Sequence, residues 1–264
     1  MEKILFCYFS GTGNTRLVVE RMTDVFRRSG SDVEIRKIHR DLRVEPEEGT
    51  AVGLAFPVAY QSTYPFVWHF AKNLPASRSN SAFMVDTLGG FSGGVVGPLG
   101  RLMRKKGYST VGAEEISMPV NIRLFDFELE RERENLNRGL AKAEGFARAL
   151  LEGNTRWGRV PVLSELMLVL HWATVILVFS RFSQRKFKIT CDETVCTGCG
   201  VCASECPVEN VTMEVSEQGH AVPLFGDICE FCLRCTAVCP VAANSFRLSR
   251  HGDYRSSDIL QDSN

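Results

Sequence analysis

Eight cysteines form two runs of identical spacing. Cys196, Cys199, Cys202 and Cys206 precede Pro207; Cys229, Cys232, Cys235 and Cys239 precede Pro240. Each run reads C-x2-C-x2-C-x3-C-P, which lets one tight loop offer three thiolates to a compact inorganic core. In two-cluster proteins the fourth cysteine of each run ligates the other cluster. On that pattern Cys196, Cys199, Cys202 and Cys239 hold one [4Fe–4S] cluster, and Cys229, Cys232, Cys235 and Cys206 hold a second. Structural zinc requires only two C-x2-4-C pairs, without the third cysteine or the C-P ending. A disulfide framework belongs to exported chains. Met1-Glu2-Lys3 and the short apolar run behind it do not make a secretory signal, so a cytoplasmic location is expected. Cys191 lies outside both runs and is expected to be a spare thiol. Asn210-Val211-Thr212 fits a glycosylation sequon, which a cytoplasmic chain would not use.

A second group of residues suits phosphate. Ser10-Gly11-Thr12-Gly13-Asn14-Thr15 stands between an apolar run and a helical pattern. Hydroxyls, glycines and the N–H groups of a helix N-terminus make an anion cradle. Neither G-x-x-x-x-G-K-[ST] nor G-x-G-x-x-G is present, and the lack of a lysine suits a terminal monophosphate. The bland alternative is a Ser/Thr-rich helix cap with no ligand. Gly90-Phe91-Ser92-Gly93-Gly94 matches G-x-S-x-G. The histidines downstream of it, His171, His220 and His251, lie beyond the part of the chain that could position a triad, so no hydrolase is expected.

These groups need elements to hold them. Apolar runs at 4–9, 52–56, 82–85 and 111–118, with an alternating run at 33–38, read as five strands. Helical patterns at 16–28, 65–72, 95–106 and 127–151 interleave with them. Such alternation predicts an α/β doubly wound parallel sheet. The expected divisions are 1–153 for that domain, 154–186 for a linker helix, 187–248 for the cysteine domain and 249–264 for a polar tail. The 264 residues carry 31 Lys+Arg and 31 Asp+Glu, so the chain-wide basic field of a nucleic-acid binder is absent. Charge is unevenly placed: residues 191–245 hold eight acids and one base, leaving the rest at +7. An acidic surface of that kind either steers basic partners or is simply a solvated face.

Residues 166–180 contain no Asp, Glu, Lys or Arg. A membrane span needs about 20 apolar residues, so this stretch is short for one. Its apolar surface is expected to be buried, between the domains first of all. A dimer or partner surface and membrane contact are the alternatives.

With Phe9 in front of it, the 10–15 loop resembles the FMN phosphate loop of flavodoxins. The chain as a whole resembles the fusion proteins of anaerobes that join a flavodoxin domain to a bacterial-type two-cluster ferredoxin. Ala55-Phe56-Pro57-Val58, Thr87-Leu88-Gly89-Gly90 and Met118-Pro119-Val120-Asn121 add to the likeness. The resemblance implies strand order 2-1-3-4-5 with FMN at the switch point. It also implies two more flavin loops. One holds Pro57, Val58 and Tyr60, with Tyr60 over one face of the ring. The other holds Thr87, Leu88, Gly89, Gly90, Phe91 and Gly93, with Phe91 as a second cover. The implied function is electron transfer between FMN, two [4Fe–4S] clusters and separate redox partner proteins. The alternative is a flavin-dependent reductase of a small molecule, fed through the clusters.

Overall fold

The five runs pair in parallel: β1 (Lys3–Tyr8), β2 (Asp32–Lys37), β3 (Ala51–Pro57), β4 (Ser81–Leu88) and β5 (Ser109–Ser117), in the order β2-β1-β3-β4-β5. The computed structural model describes residues 1–89, 93–120, 128–158, 163–178, 188–217 and 219–246. Strand β4 is longer than its apolar run. Asp86 and Thr87 break the hydrophobic pattern, yet pairing continues on both sides, Asp86 with Phe56 of β3 and with Glu115 of β5. Ladder hydrogen bonds from two neighbours outweigh a weak local propensity.

Both faces of the sheet are covered, as a parallel sheet requires. On one face α1 (Asn14–Arg28) and α4 (Leu129–Leu151) bury Val18, Met22, Phe26, Leu136, Ala143 and Phe146 against Phe6 and Phe83. On the other, α2 (Pro65–Asn73) and α3 (Val96–Lys105) bury Phe66, Phe70, Leu99 and Met103. Gly53 is required in β3, because a Cβ there would lie 2.5 Å from Phe83 and 2.7 Å from Phe6.

Helix α5 (Leu163–Val178) packs beside α3. Leu168 and Trp172 join the α2–α3 core, and Val178 reaches the cysteine domain. The expectation of a fully buried helix holds on that side alone. Leu166, Val169, Leu170, Ile176 and Leu177 are exposed. Among the described residues no helix is long and apolar enough to cross a membrane.

The cysteine domain is built from short pieces: β6 (Ile189–Cys191), α6 (Val201–Ser204), β7 (Val211–Val215), β8 (Ala221–Phe225), α7 (Arg234–Ala237) and β9 (Asn244–Phe246). β6 pairs antiparallel with β9, and β7 with β8. Ile189, Val211, Phe225, Phe231, Leu233 and Phe246 form its small core. The repeat seen in the cysteines extends to the backbone. Gly198 and Gly200 are left-handed (φ 69° and 72°), and so are their counterparts Phe231 and Leu233 (φ 50° and 59°). Glu209 and Ala242 match in the same way (φ 55° and 52°). A non-glycine residue there costs about 1–3 kcal/mol and persists only where its surroundings impose it.

The two domains touch through specific contacts. Arg40 N–H donates to the Pro207 carbonyl at 2.8 Å. Glu205, paired with Arg234 of its own domain at 2.6 Å, takes Lys37 of the α/β domain at 3.0 Å. Burial pushes the Glu205 carboxyl up, but these two cations hold it below its ordinary value. Val208 is buried in the α2–α3 core.

Candidate functional site

A cleft opens where β1, β3 and β4 end. Open α/β sheets bind ligands at this place, outside the carboxyl ends of the strands where their order reverses. Ser10, Gly11, Thr12, Asn14 and Thr15 line it from the first loop, Pro57 and Val58 from the second, and Thr87, Leu88 and Gly89 from the third. The start of α1 faces an anion well. Its N-cap is Gly13 (φ 114°), no side chain caps it, and its first turn holds no acid. Its first N–H groups and the positive end of its dipole are therefore offered outward. Ser10 Oγ accepts from Gly13 N–H at 3.2 Å, and Thr15 and Thr87 share a hydroxyl–hydroxyl bond of 2.8 Å. Asn14 Nδ2 donates to the Pro119 carbonyl at 2.7 Å, tying the loop to the chain after β5.

Against this loop stands the second cysteine run. A Cβ on Gly11 would lie 2.2 Å from the Cys232 carbonyl oxygen. Glu230, between Cys229 and Cys232, accepts Phe66 N–H at 3.2 Å. It thereby caps α2, whose own N-cap Tyr64 supplies no side-chain bond. Burial raises the Glu230 carboxyl to about 7, against the pull of Phe66 N–H and Arg40. Tyr64 is buried between the cleft and the cysteines. Burial, then the Cys232 thiol, push its hydroxyl well above the ordinary value.

None of the ten cysteines is in a disulfide. Neighbouring thiols act on one another. Cys206 is among the thiols that raise each of Cys229, Cys232 and Cys235, where burial is the larger cause. Cys191 is pushed up to about 12, by burial and then by Cys196, Cys202 and Cys239. Cys206 is thus close enough to the second run's first three cysteines to act on each of them, and Cys196, Cys202 and Cys239 all act on Cys191. Backbone N–H groups point at sulfur in matching places: Asn210 to Cys206 and Ala243 to Cys239, each at 3.2 Å, and Phe231 to Cys229 at 3.3 Å. Buried thiols at high pKa are poor sites for bare thiolate. A cationic iron core that takes their negative charge fits this donor set. Among the described residues no three His, Cys, Asp or Glu side chains converge on a single ion. A four-iron core places each thiolate on a different corner and so holds its ligands farther apart.

Gly13, Tyr60 and Gly93 are not among the residues that line the cleft, and Gly90 and Phe91 lie outside the described residues. Tyr60 is left-handed (φ 54°) and packs edge-on against Tyr64, ring centroids 6.4 Å apart. Its carbonyl accepts His171 Nδ1–H at 2.9 Å. Residues that the sequence patterns did not mark are Tyr64, Glu230, His171 and Asp86. Asp86 is fully buried, neither oxygen has a partner among the described residues, and burial, then Glu115 and Glu114, push its carboxyl well above the usual range. Asn210 turns out to be structural: its side chain is buried and its Oδ1 accepts Ile228 N–H at 2.8 Å.

His171 also carries a pH dependence. Burial holds its imidazole below 6.5, with the Tyr60 carbonyl opposing, and Nε2 is buried without a partner among the described residues. The packed ring is neutral; a detached one gains its proton near 6.5. Packing of α5 is therefore at full strength above pH 6.5 and weakens as pH falls below it. Thermal unfolding between pH 5 and 7 measures this, and His171→Leu should flatten the dependence in that window.

Residues 195–243, which span both cysteine runs, match the family described as 4Fe-4S dicluster domain. No curated protein matches. Among solved structures the chain is similar to rubredoxin oxygen:oxidoreductase from the anaerobe Desulfovibrio gigas, at 16% identity, over 58% of this chain and 37% of that one, TM-score 0.39. It is similar to a flavodoxin from Streptococcus pneumonia at 16% identity, over 57% of this chain and 98% of that one, TM-score 0.42. A two-electron reduced flavodoxin from Megasphaera elsdenii is 20% identical, over 53% of this chain and 98% of that one, TM-score 0.38. The chain thus spans about a third of the length of the Desulfovibrio protein. Its own strand order and its matched cysteine segment make it a flavodoxin-like α/β domain followed by a 4Fe-4S dicluster domain.

Proposed function

We propose that the protein is an electron-transfer iron–sulfur flavoprotein, with FMN in the cleft at the β1, β3 and β4 ends and two [4Fe–4S] clusters on the paired cysteine sets. The observation that carries the reading is the contact between the phosphate-type loop and a cluster-type loop, Gly11 against Cys232. FMN supplies two-electron chemistry and each cluster one-electron chemistry. The protein holds these groups apart from water and sets their spacing. Ser10, Thr12, Thr15 and the first N–H groups of α1 would receive the phosphate. Cys206, Cys229, Cys232 and Cys235 form the set beside the cleft, since Cys206 and Cys232 pack in the same apolar cluster as Phe9, Tyr60 and Tyr64. Cys196, Cys199, Cys202 and Cys239 form the far set, with Cys199 exposed. The far set faces partner proteins, and the acidic surface around it suits basic ones. A cytoplasmic location agrees with thiolate ligation.

Protein purified without oxygen should contain about eight irons and about one FMN per chain. Iron content, acid-labile sulfide and released flavin measure this. Zinc in place of iron, or clusters without flavin, would remove the corresponding half of the reading.

A further inference from the structure

Helix α5 is apolar on two sides, and the structure accounts for one. Leu168, His171, Trp172 and Val175 face the α/β domain. Leu166, Val169, Leu170, Ala173, Ile176 and Leu177 recur at the three- and four-residue spacing of a single helical stripe. The five large ones are 53%, 66%, 45%, 72% and 70% exposed. Aliphatic groups lined up over about three turns make a patch that soluble surfaces avoid unless it binds something.

The surrounding charge says what. Helices α2, α3 and α5 lie on the same side of the sheet and carry Lys72, Arg101, Arg104 and Lys105 against one acid, Glu165. Lys72 Nζ stands 5.4 Å over the Trp172 ring, beside the stripe's helix. In sequence, Arg156 precedes α5, and Arg159, Arg181, Arg185 and Lys186, which lie outside the described residues, add to the basic character of this stretch. An apolar stripe within a basic frame complements an anionic lipid surface, with acyl chains meeting the stripe and headgroup phosphates meeting the cations. A second copy of the chain fits less well. Pairing two such faces sets Lys72, Arg101, Arg104 and Lys105 of one chain near the same cations of the other. The acidic cysteine domain is repelled by the same lipid surface, which leaves α5 as the face that settles.

We infer that α5 is an in-plane anchor by which the chain docks on a bilayer rich in anionic phospholipid. Sixteen residues extend about 24 Å, short of the roughly 30 Å hydrocarbon core, so the helix lies along the surface and does not cross it.

The test uses the full chain with its cofactors and sedimentation with vesicles. One set is phosphatidylcholine alone and the other phosphatidylcholine mixed with phosphatidylglycerol. Binding to the mixed vesicles alone, weakened by added salt, is the expected result. The double substitution Val169→Asp, Ile176→Asp should lower partitioning by at least roughly tenfold. Both side chains are exposed, so the cofactor absorbance and far-ultraviolet circular dichroism of the variant should match the parent. The inference is overturned if the parent ignores the mixed vesicles or if the double variant binds as well as the parent. A parent dimer that the double substitution converts to monomer, with no vesicle binding by either, would assign the stripe to a second copy.

Discussion

Gly11→Ala is expected to part the cleft from the neighbouring cysteine loop. Gly11 is outside the left-handed region, so alanine fits its backbone and the whole effect lies in the contact. The added Cβ would stand 2.2 Å from the Cys232 carbonyl oxygen, and backbone on both sides leaves no flexible side chain to give way. Overpacking of this kind costs about 1–3 kcal/mol, which lowers the docked fraction by roughly 5- to 150-fold where docking is marginal. Tunnelling between redox groups falls exponentially with separation. Transfer between flavin and clusters should therefore slow in step with the docked fraction, while the iron content stays that of the parent. Rapid-mixing reduction followed in the flavin and cluster bands reads the rate, and a flavin titration separates weakened binding from weakened docking. A parental rate with flavin bound would show that the loop yields locally and that this contact does not govern the approach.

Removing the two fourth-position cysteines should have opposite consequences for the flavin. Cys239→Ala takes a ligand from the set of Cys196, Cys199 and Cys202, and Cys206→Ala takes one from the set of Cys229, Cys232 and Cys235. Either variant should drop from about eight irons to about four. After Cys239→Ala the surviving cluster is the one beside the cleft, so flavin should still exchange electrons with it at a rate near the parent's. After Cys206→Ala the surviving cluster is the far one, and exchange with flavin should nearly vanish. Cys206→Ala also leaves Asn210 N–H without its sulfur acceptor at 3.2 Å, so the loop holding Glu209 in the left-handed region should loosen first. If Cys239→Ala instead destroys the cluster of Cys229, Cys232 and Cys235, each run holds its own cluster and the crossed assignment is wrong.

Much of the site was legible in the residues because its chemistry is local. Three thiolates on one tight loop require C-x2-C-x2-C, and an anion cradle requires small residues and hydroxyls ahead of a helix. Both are set by a few consecutive positions. Alternation gave a doubly wound parallel sheet, the flavodoxin likeness implied the order β2-β1-β3-β4-β5, and the sheet has that order. Contacts between distant segments were not legible, since no spacing rule links them. That Glu230 caps α2, that Gly11 meets Cys232, and that His171 closes on the Tyr60 carbonyl are products of docking. Asp86 read as a break in β4, and only two paired neighbours made it strand. The apolar run at 166–180 is the clearest division. Composition alone determined that it avoids water, because hydrophobicity is a property of side chains. Which half of it is covered was decided by the tertiary structure, because burial depends on what the chain brings alongside, and α2 and α3 reach one side of α5 alone.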